Sequence, residues 1–188
     1  MCRVPPLLLV LNGPPAVGKS TLARRYVADH PTCLNLDVDV LRGSLGGWQK
    51  DPHASGLWAR ALALSMARVH LLGGDSVVVP QLIARPQFLD ALTDLATETG
   101  AQLVEVVLVD DRGRLATRFA ERTARAERPE HVDAGWLAAA GSDRLGPTLE
   151  RLEALVAQRS CVAQVAITPD DVEATYRCLL EAIADHAR

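Results

Sequence analysis

A glycine-rich loop directly behind an apolar run constrains the fold of this chain more than any other feature. Residues 13–20 read GPPAVGKS, which matches the pattern G-x-x-x-x-G-K-[ST], and they follow the apolar residues 7–11. The pattern glycines allow backbone turns that bring successive N–H groups to face a phosphate, and the following helix directs its positive dipole end at the same point. The sequence therefore predicts a strand, a phosphate-binding loop and a helix, with ATP or GTP as the ligand.

The residue types within this loop predict separate roles. Lys19 is expected to reach the β and γ phosphates, and Ser20 is expected to hold Mg²⁺. The alternative interpretation is a glycine-containing turn with an incidental lysine. The residues expected to contact the nucleotide are Gly13, Ala16, Val17, Gly18, Lys19, Ser20 and Thr21.

Length and composition predict one domain, residues 1–188, with a substantial apolar core. The formal net charge is −3, which lacks the basic excess of a dedicated nucleic-acid binder and favours a small substrate. The four cysteines show no C-x-x-C spacing, so we expect reduced thiols and neither zinc nor disulfides. The apolar run before the loop is too short for a signal peptide or a membrane span, so we expect a cytoplasmic protein without a membrane partner. We expect either a monomer or a homodimer.

Apolar runs of strand character alternate with helical patterns along the chain. Five strands are expected at residues 7–12, 32–37, 76–80, 102–109 and 162–167. Helices are expected at residues 19–29, 57–72 and 86–99, and from residue 168 onwards. This alternation predicts an α/β fold in which a parallel sheet is covered by helices on both sides.

Two carboxylates follow the second predicted strand. Asp37 and Asp39 are two residues apart, so they would share one face while the chain stays extended, at the sheet edge where such folds bind ligands. Phosphoryl transfer to an alcohol needs a group that accepts the hydroxyl proton, and we assign this role to Asp39. Asp37 would contact Mg²⁺ through water or position a basic side chain, and Arg42 would orient Asp39 or bind the acceptor. Alternatively, these are helix-capping and surface residues.

The phosphate loop and the segment N-x-D-x-D-x-x-R at residues 35–42 together resemble the small P-loop kinases, which include chloramphenicol phosphotransferase, the zeta toxins and the 5′-kinase domain of phage polynucleotide kinase. This resemblance implies a P-loop NTPase three-layer sandwich with a five-stranded parallel sheet and a helical lid. It implies ATP-dependent phosphorylation of a hydroxyl group, with the general base at Asp39 and an assisting arginine at Arg42. Specific motifs cover only residues 7–42 and, loosely, 112–128.

An arginine-rich segment lies where the resemblance places the lid, at about residues 112–131. Arg118 and Arg122 are four residues apart, on one face of a predicted helix, and Arg125 and Arg128 continue the cluster. A lid arginine would neutralise charge on the transferring phosphoryl group and help to exclude water. By resemblance Arg122 is the first choice for this catalytic role, with Arg118 as a further nucleotide contact. The alternative is a solvated helix in which interleaved glutamates pair with the arginines.

The chain departs from its relatives after the third strand, where many carry an acidic residue. Here the sequence reads Val79-Pro80-Gln81, so metal binding is expected to rest on Ser20 and on the aspartates of the second strand. Gln81 and the nearby Arg85 are candidates for a ligand contact or for plain loop positions.

The acceptor pocket is expected within residues 43–57, because this stretch follows Asp39 and contains Trp48. Trp48 would stack on a flat group, or it would fill the space beneath a loop. Trp58 is interpreted as a packing residue. The leading hypothesis is a kinase for a hydroxyl of a small molecule, such as an antibiotic, a nucleoside or a sugar derivative. The alternatives are a nucleic-acid 5′-hydroxyl kinase, a nucleotide-dependent switch or binding module and a toxin-like sugar-nucleotide kinase.

Overall fold

The computed structural model describes residues 4–125, 145–159 and 161–186, with only the backbone described at residues 122, 123, 125 and 145. The strands are β1 (Leu7–Asn12), β2 (Leu34–Asn35), β3 (Val77–Pro80), β4 (Gln102–Val109) and β5 (Val162–Ala166). The helices are α1 (Lys19–Asp29), α2 (Val38–Gly43), α3 (Pro52–Leu72), α4 (Pro86–Thr99), α5 (Arg112–Arg125), α6 (Leu145–Ala157) and α7 (Val172–His186). A 3₁₀ turn at Trp48–Lys50 lies between α2 and α3.

The strands form one parallel sheet in the order β2-β3-β1-β4-β5. Because successive side chains of a strand point to opposite faces, β1 contributes to both cores of the molecule. Leu8 and Val10 pack on one face with α3 and α4, whereas Leu9 and Leu11 pack on the other face with α1 and α7. The expected α/β sandwich with a five-stranded parallel sheet is confirmed, and the bounds predicted for β1, α1, α4 and β4 agree with the structure.

The second strand is shorter than expected. It covers Leu34–Asn35 rather than residues 32–37, because the chain turns into α2 directly afterwards. At one end Thr32 adopts a left-handed conformation, with φ of 68°. At the other end Asp37 caps α2, and its Oδ1 accepts a hydrogen bond from the Asp39 backbone N–H at 3.1 Å. The expectation that Asp37 and Asp39 share one face of an extended strand is therefore wrong.

Helix α3 begins at Pro52, five residues earlier than predicted. Asp51 accepts a hydrogen bond from the Ala54 backbone N–H at 2.9 Å, and Pro52 occupies the first helical position. This pairing of an aspartate cap with a proline is typical of a helix start. The earlier start brings the beginning of α3 next to the 3₁₀ turn at Trp48–Lys50.

Helix α3 packs on the sheet through small side chains. Ala59, Ala63 and Ala67 are fully or almost fully buried, whereas Trp58 is 67% exposed. A face of alanines lets the helix lie close to the sheet, and the larger apolar residues on its other faces then remain at the surface. The interpretation of Trp58 as a packing residue is wrong.

None of the helices in the described ranges combines the length and the apolar character that crossing a bilayer requires.

Candidate functional site

The loop after β1 has the backbone geometry that its glycines predict. Gly13 and Gly18 have φ of 143° and 106°, values that side-chain-bearing residues rarely adopt. A Cβ atom at Gly13 would lie 2.8 Å from the Leu108 carbonyl oxygen, so the position also lacks space for a side chain. Ala16 has a φ of 62°, a left-handed conformation that costs about 1–3 kcal/mol and clusters at ligand sites.

The start of α1 is open to an anion. Gly18 precedes the helix without a side-chain cap, and the first turn holds no acidic residue. Its N–H groups and the positive dipole end therefore face the loop. The Lys19 ammonium donates hydrogen bonds to the carbonyl oxygens of Gly13 and Pro14 at 2.8 and 2.7 Å, so the lysine lies across the loop that would surround the phosphates.

Asn12 anchors this loop, a role that the sequence analysis missed. Its side chain is fully buried. The Asn12 Oδ1 accepts hydrogen bonds from the backbone N–H groups of Gly13 and Ile83, at 2.8 and 2.9 Å. The Nδ2 donates to the Ile83 carbonyl oxygen at 3.0 Å and to Glu105 Oε1 at 3.4 Å. The sequence feature that could have indicated this role is a single amide side chain at the end of an apolar strand, because a polar group buried there needs several hydrogen-bond partners.

Ser20 and Asp37 meet beside the loop. The Ser20 hydroxyl donates a hydrogen bond to Asp37 Oδ2 at 3.2 Å. The contact joins the first turn of α1 to the residue that caps α2, and both side chains supply the hard oxygen ligands that Mg²⁺ prefers. These are the two residues that the sequence analysis assigned to the metal, and the fold brings them together.

Asp39 and Arg42 form an ion pair on α2, with Arg42 Nη2 at 3.5 Å from Asp39 Oδ1. The side chain of Asp39 is 46% exposed, whereas that of Arg42 is 18% exposed. The Arg42 guanidinium lies over the Trp48 ring, 5.1 Å from its centroid. The arginine is therefore held by an aromatic ring and a carboxylate, while the carboxylate remains accessible to an incoming molecule.

The arginine-rich helix α5 is tied to the end of β4. The Asp110 side chain is fully buried and accepts hydrogen bonds from Arg114 Nε at 2.7 Å and from Arg118 Nη1 at 3.1 Å. Arg118 therefore has a fixed position at the edge of the sheet. The side chains of Arg122 and Arg125, and all of Arg128, lie outside the described residues.

Arg118 also lines a cavity of about 280 Å³ next to the phosphate loop. The loop side is formed by Val17, Gly18 and Thr21, and the opposite side by the segment from Ile167 to Val172, which joins β5 to α7. The cavity therefore lies between the start of α1, the arginine-rich helix and the last loop of the sheet edge, with polar and apolar groups on its walls.

The position after β3 carries Gln81 instead of an acid. The backbone N–H of Gln81 donates to the Leu11 carbonyl oxygen at 3.0 Å, which places Gln81 next to the end of β1. Its Oε1 atom is buried, and within the described part of the chain it has no hydrogen-bond partner. A buried acceptor without a partner is costly, so this oxygen is suited to accept a hydrogen bond from a bound ligand.

A second cavity, of about 410 Å³, lies where the acceptor pocket was expected. Trp48 and Trp58 contribute aromatic walls, and Ser55 donates a hydrogen bond from its hydroxyl to the Trp48 carbonyl oxygen at 3.0 Å. Because Arg42 lies over the Trp48 ring, this cavity adjoins the Asp39–Arg42 pair. The full lining is Leu45, Gly46, Gly47, Trp48, Lys50, Asp51, Ala54, Ser55 and Trp58.

Solved structures with the same fold cover nearly the whole chain. A candidate kinase of Chloroflexus aurantiacus J-10-fl is 19% identical, with a TM-score of 0.71 over 97% of this chain and 98% of that one. A gluconokinase of Sinorhizobium meliloti 1021 is 20% identical, with a TM-score of 0.64 over 98% and 95%. Chaetomium thermophilum Kti12 in complex with ADP-AlF3 is 21% identical, with a TM-score of 0.66 over 97% and 100%. At these identities the likeness establishes the fold alone.

No curated protein sequence matches the chain significantly. The family model described as an AAA domain matches residues 8–143, which is more than half of the chain and includes the phosphate loop, α2 and the arginine-rich helix α5. The chain therefore belongs to the AAA-domain family, as a member with a P-loop kinase-like fold that binds a nucleotide.

Proposed function

We propose that the protein is an ATP-dependent kinase that transfers the γ-phosphate to a hydroxyl group of a small molecule. The proposal depends on one observation, the position of Asp39 relative to the phosphate loop. Asp37 accepts a hydrogen bond from Ser20 at 3.2 Å. Asp39 follows two residues later, so the Cα atoms of Asp37 and Asp39 are at most about 7.6 Å apart. This proximity supports the proposal that the exposed Asp39 carboxylate reaches the hydroxyl group that attacks the γ-phosphate.

In this mechanism Asp39 accepts the proton of the acceptor hydroxyl as the acceptor oxygen attacks the γ-phosphorus. The O–H bond breaks, a new P–O bond forms, and the bond to the β-phosphate oxygen breaks to release ADP. Arg42, 3.5 Å from Asp39, fixes the orientation of the carboxylate. Lys19 would exchange its two carbonyl partners for phosphate oxygens.

Ser20 and Asp37 would hold Mg²⁺, because a hydroxyl and a carboxylate oxygen 3.2 Å apart fit the chemistry of a magnesium site. Magnesium bound there would neutralise negative charge on the β and γ phosphates. Gln81 stands at the sequence position of the missing acid, and its buried Oε1 atom can accept a hydrogen bond from a ligand.

The base of the nucleotide would occupy the cavity of about 280 Å³ beside the phosphate loop. Arg118 lines this cavity and can stack on a flat ring, because Asp110 holds its guanidinium in place. Arg122 is proposed to act on the phosphates from the same helix, four residues further along. The cavity of about 410 Å³ beside Trp48 would receive the acceptor.

The test is transfer of radiolabel from [γ-³²P]ATP to a panel of small alcohols, nucleosides and 5′-hydroxyl oligonucleotides. We expect a small alcohol to be labelled, and Asp39→Asn to lower kcat by about 10²–10⁴-fold with ATP affinity within a few fold of wild type. Labelling of oligonucleotides alone would favour the nucleic-acid kinase. Release of free phosphate at a rate that no acceptor alters would favour the nucleotide-dependent switch.

A further inference from the structure

A buried ion pair lies on the face of the sheet that α3 and α4 cover. Glu105 is in the middle of β4, and its side chain is 3% exposed. Its Oε2 atom accepts a hydrogen bond from Arg159 Nε at 2.9 Å. Arg159 lies two residues after the end of α6, in the connection to β5. The pair therefore joins this connection to the centre of the sheet.

Stability does not explain a carboxylate in this place. Removing a carboxylate and a guanidinium from water costs free energy that their attraction often fails to recover, and apolar side chains of similar volume are commonly as stable. Strand β4 is an inner strand, and the neighbours of Glu105 on the same face are apolar: Val10 on β1, and Leu103 and Val107 on β4. Because an apolar residue would fit this core, the contacts of the carboxylate need another explanation.

The other oxygen of this carboxylate contacts the residue that anchors the phosphate loop. Glu105 Oε1 accepts a hydrogen bond from Asn12 Nδ2 at 3.4 Å, and the same nitrogen donates to the Ile83 carbonyl oxygen at 3.0 Å. On the other side of the amide, Asn12 Oδ1 accepts hydrogen bonds from the N–H groups of Gly13 and Ile83 at 2.8 and 2.9 Å. Two acceptors therefore face the amide nitrogen, and two donors face the amide oxygen.

This arrangement fixes the orientation of the Asn12 amide. A carboxylate only accepts hydrogen bonds, so a rotation of the amide by half a turn would bring Asn12 Oδ1 unfavourably against Glu105. The same rotation would bring Nδ2 against the Gly13 N–H. The carbonyl oxygen of Gly13 accepts a hydrogen bond from Lys19 Nζ at 2.8 Å. The orientation of one amide therefore affects the first residue of the loop and, through it, the lysine.

We propose that Glu105 and Arg159 are positioning residues for the phosphate loop, and that they act through Asn12. Arg159 holds one oxygen of the carboxylate, the other oxygen holds the Asn12 amide, and the amide holds the Gly13 N–H. A loop that is held in its binding geometry before the nucleotide arrives loses less conformational freedom on binding, which raises the affinity. The two contacts of Glu105 join residues 93 and 54 positions apart, so the sequence analysis did not identify them.

The first experiment replaces the pair by apolar residues of similar size, Glu105→Leu together with Arg159→Met. We expect the urea midpoint of the nucleotide-free variant to equal or exceed that of wild type, because the buried charges are removed together. The Kd of ADP, measured by calorimetric titration, should rise about tenfold. Nucleotide binding alone is measured, so the result does not depend on the kinase chemistry. A Kd of ADP within about twofold of the wild-type value would overturn the assignment.

Hydrogen exchange of the Gly13 amide reports on the loop without any ligand. In the same double variant this N–H should exchange at least about tenfold faster than in wild type, whereas the amides of β4 should keep their protection. This contrast is expected because the anchor of the loop is weakened and the sheet is not. Faster exchange throughout β4 would show that the pair supports the sheet, and it would contradict the positioning role.

A milder variant and a matched control complete the test. Glu105→Gln keeps the side-chain volume and an oxygen that can accept from Asn12, so the Kd of ADP should rise by only about threefold. The control is Arg68→Met with Glu98→Leu, which removes an exposed pair of the same residue types, 2.8 Å apart between α3 and α4. The control should leave the Kd of ADP and the exchange of the Gly13 amide within about twofold of wild type. An equal loss of ADP affinity in the control would overturn the proposal.

Discussion

The Ser20 hydroxyl donates a hydrogen bond to Asp37 Oδ2 across 3.2 Å, and this contact links the phosphate loop to the cap of α2. Asp37 therefore has two functions in one carboxylate: Oδ1 caps the helix, and Oδ2 faces the proposed metal site. The two functions can be separated, because asparagine also caps helices but carries no charge.

Asp37→Asn is expected to keep the stability of the fold and to weaken metal binding. The free energy of unfolding should change by less than about 0.5 kcal/mol, because asparagine and aspartate are similar caps. The Mg²⁺ concentration for half-maximal phosphoryl transfer should rise about tenfold, since a neutral ligand attracts the cation less. Asp111→Asn, which alters the cap of α5, should leave the Mg²⁺ dependence unchanged. An unaltered Mg²⁺ requirement in Asp37→Asn would exclude the assigned role.

Asp110→Asn is expected to weaken nucleotide binding through Arg118. The buried carboxylate holds Arg118 Nη1 at 3.1 Å beside the nucleotide cavity, so its neutralisation should release the guanidinium. We expect the KM of ATP to rise about 5–10-fold while kcat changes less than about threefold, which steady-state kinetics can separate. Arg114→Gln, which removes the other arginine of the pair, should have a smaller effect. A fall in kcat without a change in the KM of ATP would indicate that Arg118 has a role other than nucleotide binding.

Gly13→Ala is expected to damage both the fold and nucleotide binding. Its Cβ would lie 2.8 Å from the Leu108 backbone oxygen, and the φ of 143° is strained for alanine. The cost should be about 1–3 kcal/mol in the free energy of unfolding, measured by urea denaturation. Gly146→Ala is the control, because a Cβ there meets open space within a helix and should be neutral or slightly stabilising. Equal stabilities of the two variants would show that the loop relaxes to accept a side chain.

Stability is expected to fall at alkaline pH because three weak acids are held in their neutral forms. Burial raises the pKa of Tyr26 and Tyr176 to about 12, and that of Cys33 to about 11. Each folded-state pKa lies above the unfolded value, so this contribution is complete below about pH 9 and is lost as pH rises towards 12. Urea midpoints between pH 8 and 11 should decrease. Tyr26→Phe should flatten the decrease, and a midpoint that rises with pH would contradict the assignment.

The sequence by itself determined the elements whose signals are local. The apolar run of β1, the glycines of the phosphate loop and the proline and glycine that bound α4 each act on neighbouring residues, and their bounds agreed with the structure. The sequence also assigned Ser20 and Asp37 to the same region, because the carboxyl end of a strand and the start of the preceding helix meet at one edge of a parallel sheet, and the two side chains are in contact.

The tertiary structure decided what depends on distant contacts. A single hydrogen bond from the Asp39 N–H to Asp37 converted the expected end of β2 into a helix cap, so the two carboxylates do not share a strand face. Asn12 became an anchor only because Ile83 and Glu105 lie beside it in space. Helix α3 also packs closely against α2, a contact between two helices that no local sequence signal predicts.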